Sequence, residues 1–293
     1  MPLRITINIF SGRPDPVLEL SGKDARDALD GLRPARPLTK SEAQIPLESR
    51  LGYRGLLVEQ VGVPARGLPK FFRIFDGRLQ GPRLSHRASD EDFEDFIAQR
   101  AGRLKVGKDF PEYLRREMVR ARRDLVGLLH WKHPRHPNKH HCRCAPLYEP
   151  QWWNDGWWGQ KQPHNNCYNY GTNYRTDTFA QPGRAAGAQY SYPPTCANVG
   201  PAAVADSLIN TPSANNKCPK EGHLVALVIS PGFDYHWYRK GRAGYWTHKM
   251  GNSPATDVDN SGNLIPDPRT ANRGSYTIFC TFMVVMHGHT KIR

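Results

Sequence analysis

The alternation of apolar and polar residues divides the chain into two parts, the first of which ends near residue 129. "LRITINIFSG" alternates as a half-buried strand does, and "SGKDARDALDGL" follows it as a helix that Ser21 can cap. "RGLLVEQVG" and "KFFRIFDGRL" predict two more strands, whereas "SDEDFEDFIAQRAG" and "PEYLRREMVRARRDLVGLLHW" predict two helices. Residues 1–129 are therefore expected to form a smaller N-terminal α+β domain.

The second part, residues 164–293, has elements of its own. A helix is expected to begin at Cys167, a second one lies in "GPAAVADSLIN", and "GHLVALVIS" is apolar enough for the centre of a sheet. "DYHWYRKGRAGYWTHKMG" predicts a hairpin, and "SYTIFCTFMVVMHGH" predicts a last strand. Residues 130–163 are dense in His, Pro, Trp and Gly, so they are expected to form a junction between two domains.

Composition and charge narrow the class of protein. A chain of 293 residues can bury a sizeable core, and its 26 Gly and 25 Pro predict long loops and short elements rather than a helical bundle. The net charge of +14 suggests a polyanion as partner: nucleic acid, anionic lipid or an acidic polymer. No nucleic-acid motif accompanies this charge, so a solvated basic surface is the competing interpretation.

The distribution of apolar residues bears on location. No apolar run approaches the ~20 residues of a membrane span. "MPLRITINIFSGRPDP" is broken by polar and turn residues before a signal-peptide core could form. We therefore expect no membrane span, and either a cytoplasmic location or export by a route without a signal peptide.

Six cysteines, at positions 142, 144, 167, 196, 218 and 280, all lie in the second half of the chain. Their even number permits disulfides, but the chain is long and their spacing shows no regular framework. We expect mostly reduced thiols, and one or two bridges remain an alternative.

Two segments resemble metal sites. Soft and borderline ligands lie close together at His130, His133, His136, His140, His141, Cys142 and Cys144. Their spacing matches no standard zinc finger, and Pro134 and Pro137 interrupt it. "TDVDNSGNLIPDP" carries oxygen donors but lacks the closing Glu of a calcium loop, so it predicts a turn or a loop beside the substrate. We predict neither a metal site nor a cofactor.

One cysteine has potential catalytic partners downstream. Nucleophilic thiol chemistry needs a His to hold the proton and a polar group to orient that His, and a helix start lowers the pKa of a thiol. Cys167 is expected at such a start. His236 and His248 lie 12 residues apart on the two strands of the hairpin, a spacing that can bring them side by side on one face.

This order of residues resembles the NlpC-type branch of the papain-like cysteine hydrolases. In that family a nucleophilic Cys begins a helix, and a Pro-x-x-Gly-Asp phrase precedes an apolar strand. Here "PKEGHLVAL" has Pro219, Gly222 and the apolar run, with His223 in the place of the Asp. The resemblance covers about residues 160–290. The usual Asp-Cys-Ser-Gly signature is replaced by Asn-Cys-Tyr-Asn, so substrate specificity is expected to differ.

The resemblance implies a papain-like C-terminal domain with a central antiparallel sheet and a nucleophile helix. It implies Cys167 as the nucleophile, His236 as the general base and His248 as the third, orienting member. Oxyanion stabilisation is expected mainly from the backbone amide of Cys167, helped by a side chain of Gln162, Asn165 or Asn166. We expect the cleft to be lined by four aromatic residues: Trp157, Trp158, Tyr168 and Trp237.

The leading functional hypothesis is a thiol-dependent hydrolase or acyltransferase, in which Cys167 cleaves an amide bond of a peptide or amide substrate through an acyl-enzyme. The family includes peptidases, amidases, deamidases and transamidases, and a delivered toxin or effector is among the roles that the resemblance allows. The alternative is a non-enzymatic basic protein that binds a polyanion, nucleic acid or another anionic polymer, and has structural cysteines.

Overall fold

The computed structural model describes residues 2–30, 32–45, 48–65, 67–89, 92–128, 132–135 and 142–293. These residues divide into two compact units. The described residues of unit 1 fall within Met1–Ile9, Asp15–Leu47 and Gly52–Trp131; those of unit 2 fall within Phe10–Pro14, Glu48–Leu51 and Lys132–Arg293.

Unit 1 contains a seven-stranded antiparallel sheet in the order β2-β1-β4-β5-β6-β7-β3. Its strands are β1 Leu3–Ile7, β2 Val17–Leu20, β3 Pro34–Pro37, β4 Leu56–Gln60, β5 Phe71–Phe75, β6 Arg78–Gly81 and β7 Leu84–Ala88. Its helices are α1 Gly22–Asp30, α2 Lys40–Gln44, α3 Phe93–Arg100 and α4 Phe110–Val126. Helix α4 buries Leu114, Met118 and Leu125, because these residues recur at helical spacing along one face.

Unit 2 contains a six-stranded antiparallel sheet in the order β12-β11-β10-β9-β13-β8. Its strands are β8 Ile209–Asn210, β9 His223–Ser230, β10 Asp234–Lys240, β11 Trp246–Lys249, β12 Ala255–Thr256 and β13 Ile278–Val285. Its helices are α5 Cys167–Thr172 and α6 Cys196–Ala205. The two units together confirm the α+β class expected from the sequence.

The central strand β9 is buried along its whole length, so both faces of the sheet of unit 2 are covered. Its odd-numbered residues, such as Val225 and Leu227, pack in one hydrophobic cluster with residues of α5 and α6. Its even-numbered residues, such as Ala226 and Val228, pack in a second cluster. The period of two along a strand thus separates two cores within one unit.

The main division of the chain falls between Trp131 and Lys132, close to the predicted boundary near residue 130, but three parts of the chain group differently from the predicted domains. The described part of the expected junction, residues 132–135 and 142–163, belongs to unit 2. Its attachment includes a hydrogen bond from Cys142 N to Arg242 O (3.1 Å) and an edge contact between Trp153 and Tyr170. Phe10–Pro14 and Glu48–Leu51 also belong to unit 2, although residues 1–129 predict a single domain.

Four of the six cysteines form disulfides, so the expectation of mostly reduced thiols is wrong. Cys142 pairs with Cys218 and Cys196 pairs with Cys280, and both pairs have Cα atoms 5.4 Å apart. The sequence does not indicate these pairs, because the partners are 76 and 84 residues apart and meet only through the fold. Disulfides persist in oxidising compartments. No helix in the described ranges is long and apolar enough to cross a membrane.

Replacing Cys196 and Cys280 together by Ser is expected to lower the free energy of unfolding of unit 2 by about 2–5 kcal/mol, because their bond closes a long loop in the unfolded chain. Urea unfolding curves of the double variant and the unchanged chain measure this difference. The matched control is Cys144→Ser, which removes an exposed thiol that forms no disulfide. A double variant with an unchanged unfolding midpoint would contradict the prediction.

Candidate active site

Cys167 is the first residue of α5, and the unusual run of Asn and Tyr around it forms the start of that helix. The side-chain oxygen of Asn166 accepts hydrogen bonds from the backbone N–H of Tyr168 (2.9 Å) and Asn169 (3.1 Å). The side chain of Asn169 in turn accepts from the N–H of Asn166 (3.2 Å). This reciprocal capping box fixes where α5 begins. The side chain of Cys167 is fully buried there.

The two histidines of the hairpin are joined by a hydrogen bond. His236 lies on β10 and His248 on β11, where His248 is the direct partner of Tyr238. The His236 Nε2 lies 2.9 Å from the His248 Nδ1, and the His248 Nε2 lies 2.9 Å from the carbonyl oxygen of Val258. Both imidazoles are fully buried.

The carbonyl of Val258 determines how the protons are arranged in the neutral pair. A carbonyl can only accept, so the His248 Nε2 carries hydrogen and the His248 Nδ1 accepts. The His236 Nε2 therefore donates to His248, which leaves the His236 Nδ1 as an acceptor. The hydroxyl of Ser11 lies 2.5 Å from this atom and donates to it.

The thiol of Cys167 donates to the carbonyl oxygen of Tyr235, 4.0 Å from its sulfur, and the Ser11 hydroxyl is close enough to the sulfur to affect its pKa. Cys167 packs with Tyr235 and Trp237 on one face of β10, whereas the His236 ring packs against Tyr238 on the other face. The pairing of β10 with β11 covers Tyr238, Arg239 and Lys240, so the first half of β10 is paired with β9 alone. The Ser11 hydroxyl is therefore close to both the thiol and the imidazole.

The environment of Cys167 differs from that expected at a helix start. Burial is the largest effect on the pKa of the thiol and raises it, and the negative charge of Asp234 raises it further. The nearby polar group of Ser11 lowers the pKa of the thiol, but by less. The expected lowering of the pKa is therefore wrong for this state of the protein, in which the thiol is neutral at pH 7.

The segment Phe10–Pro14 is fixed through its backbone. The carboxylate of Asp234 accepts from Ser11 N (2.5 Å) and Arg13 N (3.1 Å).

The carbonyl oxygen of Gly12 accepts from three donors, the Asn166 Nδ2 (2.8 Å), the Gln181 Nε2 (2.8 Å) and the Tyr235 hydroxyl (3.1 Å). No sequence pattern indicated five residues of this site: Ser11, Gly12, Gln181, Asp234 and Tyr235. Ser11 is 225 residues from His236, and no local pattern indicates the contact.

The other two oxyanion candidates brace the chain before α5. The Gln162 side chain accepts from Gly156 N (3.2 Å) and donates to Asn252 O (3.1 Å). The Asn165 Nδ2 donates to the Asp177 carboxylate (2.6 Å), and the buried Lys249 ammonium donates to the carbonyls of both Gln162 and Asn165. Of the three candidates, it is Asn166 whose side chain reaches Gly12.

The aromatic residues expected in a cleft lie in different places. Tyr168 and Trp237 are fully buried and pack together in the first cluster, 5.5 Å between ring centroids, rather than at a rim. The Trp157 Nε1 donates to the carboxylate of Glu48 (2.9 Å), and Trp158 is exposed. Tyr168 is large and apolar enough that burying it stabilises the core more than exposing it at a rim would.

The potential metal ligands are also used in other ways. Cys142 is in a disulfide, and His133 hydrogen-bonds the buried carboxylate of Asp257 (2.8 Å). His130, His136, His140 and His141 lie outside the described residues. Within the described ranges, no group of three or more His, Cys, Asp or Glu residues could hold a metal ion. The carboxylate of Asp259 accepts from three backbone amides, which organises its loop as a turn.

Fold and site together define a class of α+β protein with two units. The second unit has two disulfides, the buried thiol of Cys167, the buried hydroxyl of Ser11 and the buried imidazoles of His236 and His248. The chain is 44% identical over 148 residues to insoluble matrix shell protein 1 of Ruditapes philippinarum, an alignment that covers 48% of this chain and 91% of that protein. The chain belongs to the family of that shell matrix protein. No protein-family model matches the chain. No solved structure matches it either.

The two free thiols are expected to react very differently with iodoacetamide at pH 8. Cys144 is exposed, whereas burial hides Cys167 and raises its pKa. We expect Cys167 to be alkylated about 100-fold more slowly than Cys144 in the folded protein, because the thiolate is the reactive form. Peptide mass spectrometry over a time course measures both rates, and urea should make them similar. Equal rates in the folded protein would show that Cys167 is not shielded.

Proposed function

We propose that unit 2 is a papain-like, NlpC-type domain and that the protein is a thiol-dependent hydrolase or acyltransferase. In this proposal Cys167 is the nucleophile, His236 is the general base and His248 orients it. The observation that carries the proposal is the pair of hydrogen bonds from His236 to His248 and from His248 to Val258 O, both 2.9 Å long. Together they leave the His236 Nδ1 as a proton acceptor, the role that a general base needs.

The proposed reaction follows from these roles. The His236 Nδ1 takes the proton of the thiol, and the thiolate attacks the carbonyl carbon of an amide. Collapse of the tetrahedral intermediate breaks the C–N bond, and the His236 imidazolium returns its proton to the leaving amine. Water or a second amine then attacks the thioester on Cys167. Water gives a free acid, an amine gives a new amide, and both regenerate the thiol.

The position of Ser11 implies that the proposed enzyme is inactive in this conformation. Its hydroxyl now donates to the atom of His236 that must receive the thiol proton. The thiol is also fully buried, so a substrate cannot reach it without a movement of the chain. We therefore propose that catalysis begins when Ser11 leaves His236.

The proposed location is outside the cell, in an extracellular matrix. Two disulfides are typical of oxidising compartments. The name of the related protein from Ruditapes philippinarum describes an insoluble component of a shell matrix. In such a setting, the attack of an amine on the thioester would join two chains, whereas the attack of water would process one.

Acyl-enzyme formation tests the proposal. Both the unchanged chain and Ser11→Ala are incubated with p-nitrophenyl acetate, quenched in acid and mapped by peptide mass spectrometry. We expect an acetyl group on Cys167, with more of it in Ser11→Ala, because this variant lacks the hydroxyl that His236 now binds.

The controls separate a catalytic thiol from an accessible one. His236→Gln is expected to slow acetylation of Cys167 by about 10²–10⁴-fold, the usual contribution of a general base. Cys144→Ser should leave the rate unchanged. Absence of acetyl-Cys167 from both the unchanged chain and Ser11→Ala, while both remain folded, would contradict the proposed enzyme.

A second candidate function is binding of a polyanion, and helix α4 favours it. Arg115, Arg116 and Arg123 are exposed on this helix, and with Val119 and Arg120 they line a shallow groove. Arg116 has an ion pair with Glu112 at 3.6 Å, but such surface pairs are weak and leave the face basic. The chain as a whole carries a net charge of +14, which adds to the attraction.

Replacing Arg115, Arg116 and Arg123 together by Gln is expected to weaken binding to heparin at least about ten-fold at low salt, because counterion release scales with the number of contacts. Fluorescence titrations at several salt concentrations measure the affinity and its salt dependence. The matched control replaces Lys23, Lys105 and Lys108 by Gln, since it changes the net charge equally at other exposed sites of unit 1. Equal losses in both variants would mean that net charge, and not α4, determines binding.

A further inference from the structure

The segment Phe10–Pro14 joins β1 to β2 along the chain but belongs to unit 2. Most loops between neighbouring strands lie at the surface, where water satisfies their backbone. In this segment Ser11 and Gly12 are buried, and their polar backbone atoms are hydrogen-bonded to other residues of unit 2. Their placement beside Cys167 therefore calls for a physical explanation.

Unit 2 binds this segment as an enzyme binds a peptide, through the backbone. Ser11 N donates to Asp234, and Ser11 O accepts from Gly251 N (2.9 Å). Arg13 donates from its guanidinium to Phe233 O (2.5 Å), and the same group lies over the ring of Tyr192, 4.4 Å from its centroid. Contacts of Ser11, Gly12 and Arg13 thus hold the segment beside the start of β10.

The carbonyl of Gly12 lies in a pocket that resembles an oxyanion hole. The side chains of Asn166, Gln181 and Tyr235 all donate to its oxygen, at distances of 2.8, 2.8 and 3.1 Å. Donors at these distances stabilise negative charge that develops on a carbonyl oxygen during acyl transfer. Asn166 directly precedes Cys167, so this pocket and the thiol are adjacent along the chain.

The pocket accepts glycine in preference to larger residues. A Cβ atom added to Gly12 would lie 2.4 Å from the ring carbons of Tyr235, closer than non-bonded atoms approach. The Tyr235 ring cannot easily move away, because it is fully buried and its hydroxyl lies within hydrogen-bonding distance of both the Gly12 carbonyl and the Gln181 side chain (3.1 Å each). Tyr235 therefore excludes any side chain at this position.

We infer that Phe10–Pro14 is an internal pseudosubstrate: it occupies the peptide-binding site of unit 2, with the Gly12 carbonyl in the oxyanion pocket, and thereby holds the enzyme inactive. The inference rests on the proposed function. It identifies the substrate class as peptides with glycine on the acyl side of the reacting bond. Tyr235 is the residue that determines this specificity, and the Ser11 hydroxyl is the group that keeps His236 from the thiol.

Displacement of the segment tests the inference, with alkylation of Cys167 by iodoacetamide at pH 8 as the measurement. Gly12→Ala should expel the segment through the clash with Tyr235 and speed the alkylation at least about ten-fold, since the thiol becomes exposed. The matched control is Gly200→Ala in unit 2, where an added Cβ meets no atom within 4 Å. Near-UV circular dichroism and intact disulfides establish that each variant is folded.

A peptide added in trans distinguishes a binding site from a disturbed core. Acetyl-Phe-Ser-Gly-Arg-Pro-amide, at millimolar concentration to replace the tethered segment, should restore protection of Cys167 in Gly12→Ala. The same peptide with Val in place of Gly should not. If Gly12→Ala does not fold, Arg13→Ala takes its place in both experiments, because it removes the contacts of the guanidinium with Phe233 O and with the ring of Tyr192 that hold the segment.

The results of these experiments can refute the pseudosubstrate or the proposed enzyme. A folded variant in which Cys167 stays protected, or equal protection by the Gly and Val peptides, would overturn the inference. Loss of acetylation in Ser11→Ala would also oppose it, since an inhibitory hydroxyl should slow the reaction and not be needed for it. Protection requires no step by His236, so a protein that binds the Gly peptide but never acquires an acyl group would refute the proposed enzyme separately.

Discussion

The buried carboxylate of Asp234 is the group on which the arrangement of unit 2 depends. A carboxylate can be buried only if donors replace the water it loses. Burial raises the pKa of Asp234, and hydrogen bonds from the Tyr276 hydroxyl (2.5 Å) and the backbone of Ser11 and Gly12 oppose this effect. The segment and the carboxylate therefore need each other, because neither could remain buried without the hydrogen bonds that join them.

The sequence predicts best those features that depend on residues close to one another in the chain. The hairpin that brings His236 to His248 follows from local patterns, namely two aromatic strands around a turn that contains glycine. The buried face of α4 follows from helical spacing. The segment "SDEDFEDFIAQRAG", in contrast, predicts a helix that starts close to Ser89, yet α3 begins at Phe93 and the Ser89 hydroxyl accepts from Arg33 N (3.1 Å). Ser89 instead pairs with Arg33 just beyond the ends of β7 and β3, where Ser89 N also donates to Arg33 O (2.8 Å).

The features that sequence could not indicate are those that join distant parts of the chain. No periodic pattern in the sequence marks the disulfide partners or the hydrogen bond between Ser11 and His236, because each contact forms only when whole elements pack together. The same limit applies to the environment of the thiol. A helix start lowers the pKa of a cysteine, whereas burial raises it, and α5 has six residues and a fully buried first side chain. Burial therefore outweighs the helix.

The burial of Cys167 has a chemical consequence for a protein that also contains two disulfides. An accessible thiolate attacks disulfide sulfurs and is converted by peroxides to sulfenic and then to irreversible sulfinic acid. A protonated thiol that no solute can reach takes part in neither reaction. The fold thus preserves the reduced sulfur through long exposure to oxygen and prevents it from scrambling the two cross-links of its own unit.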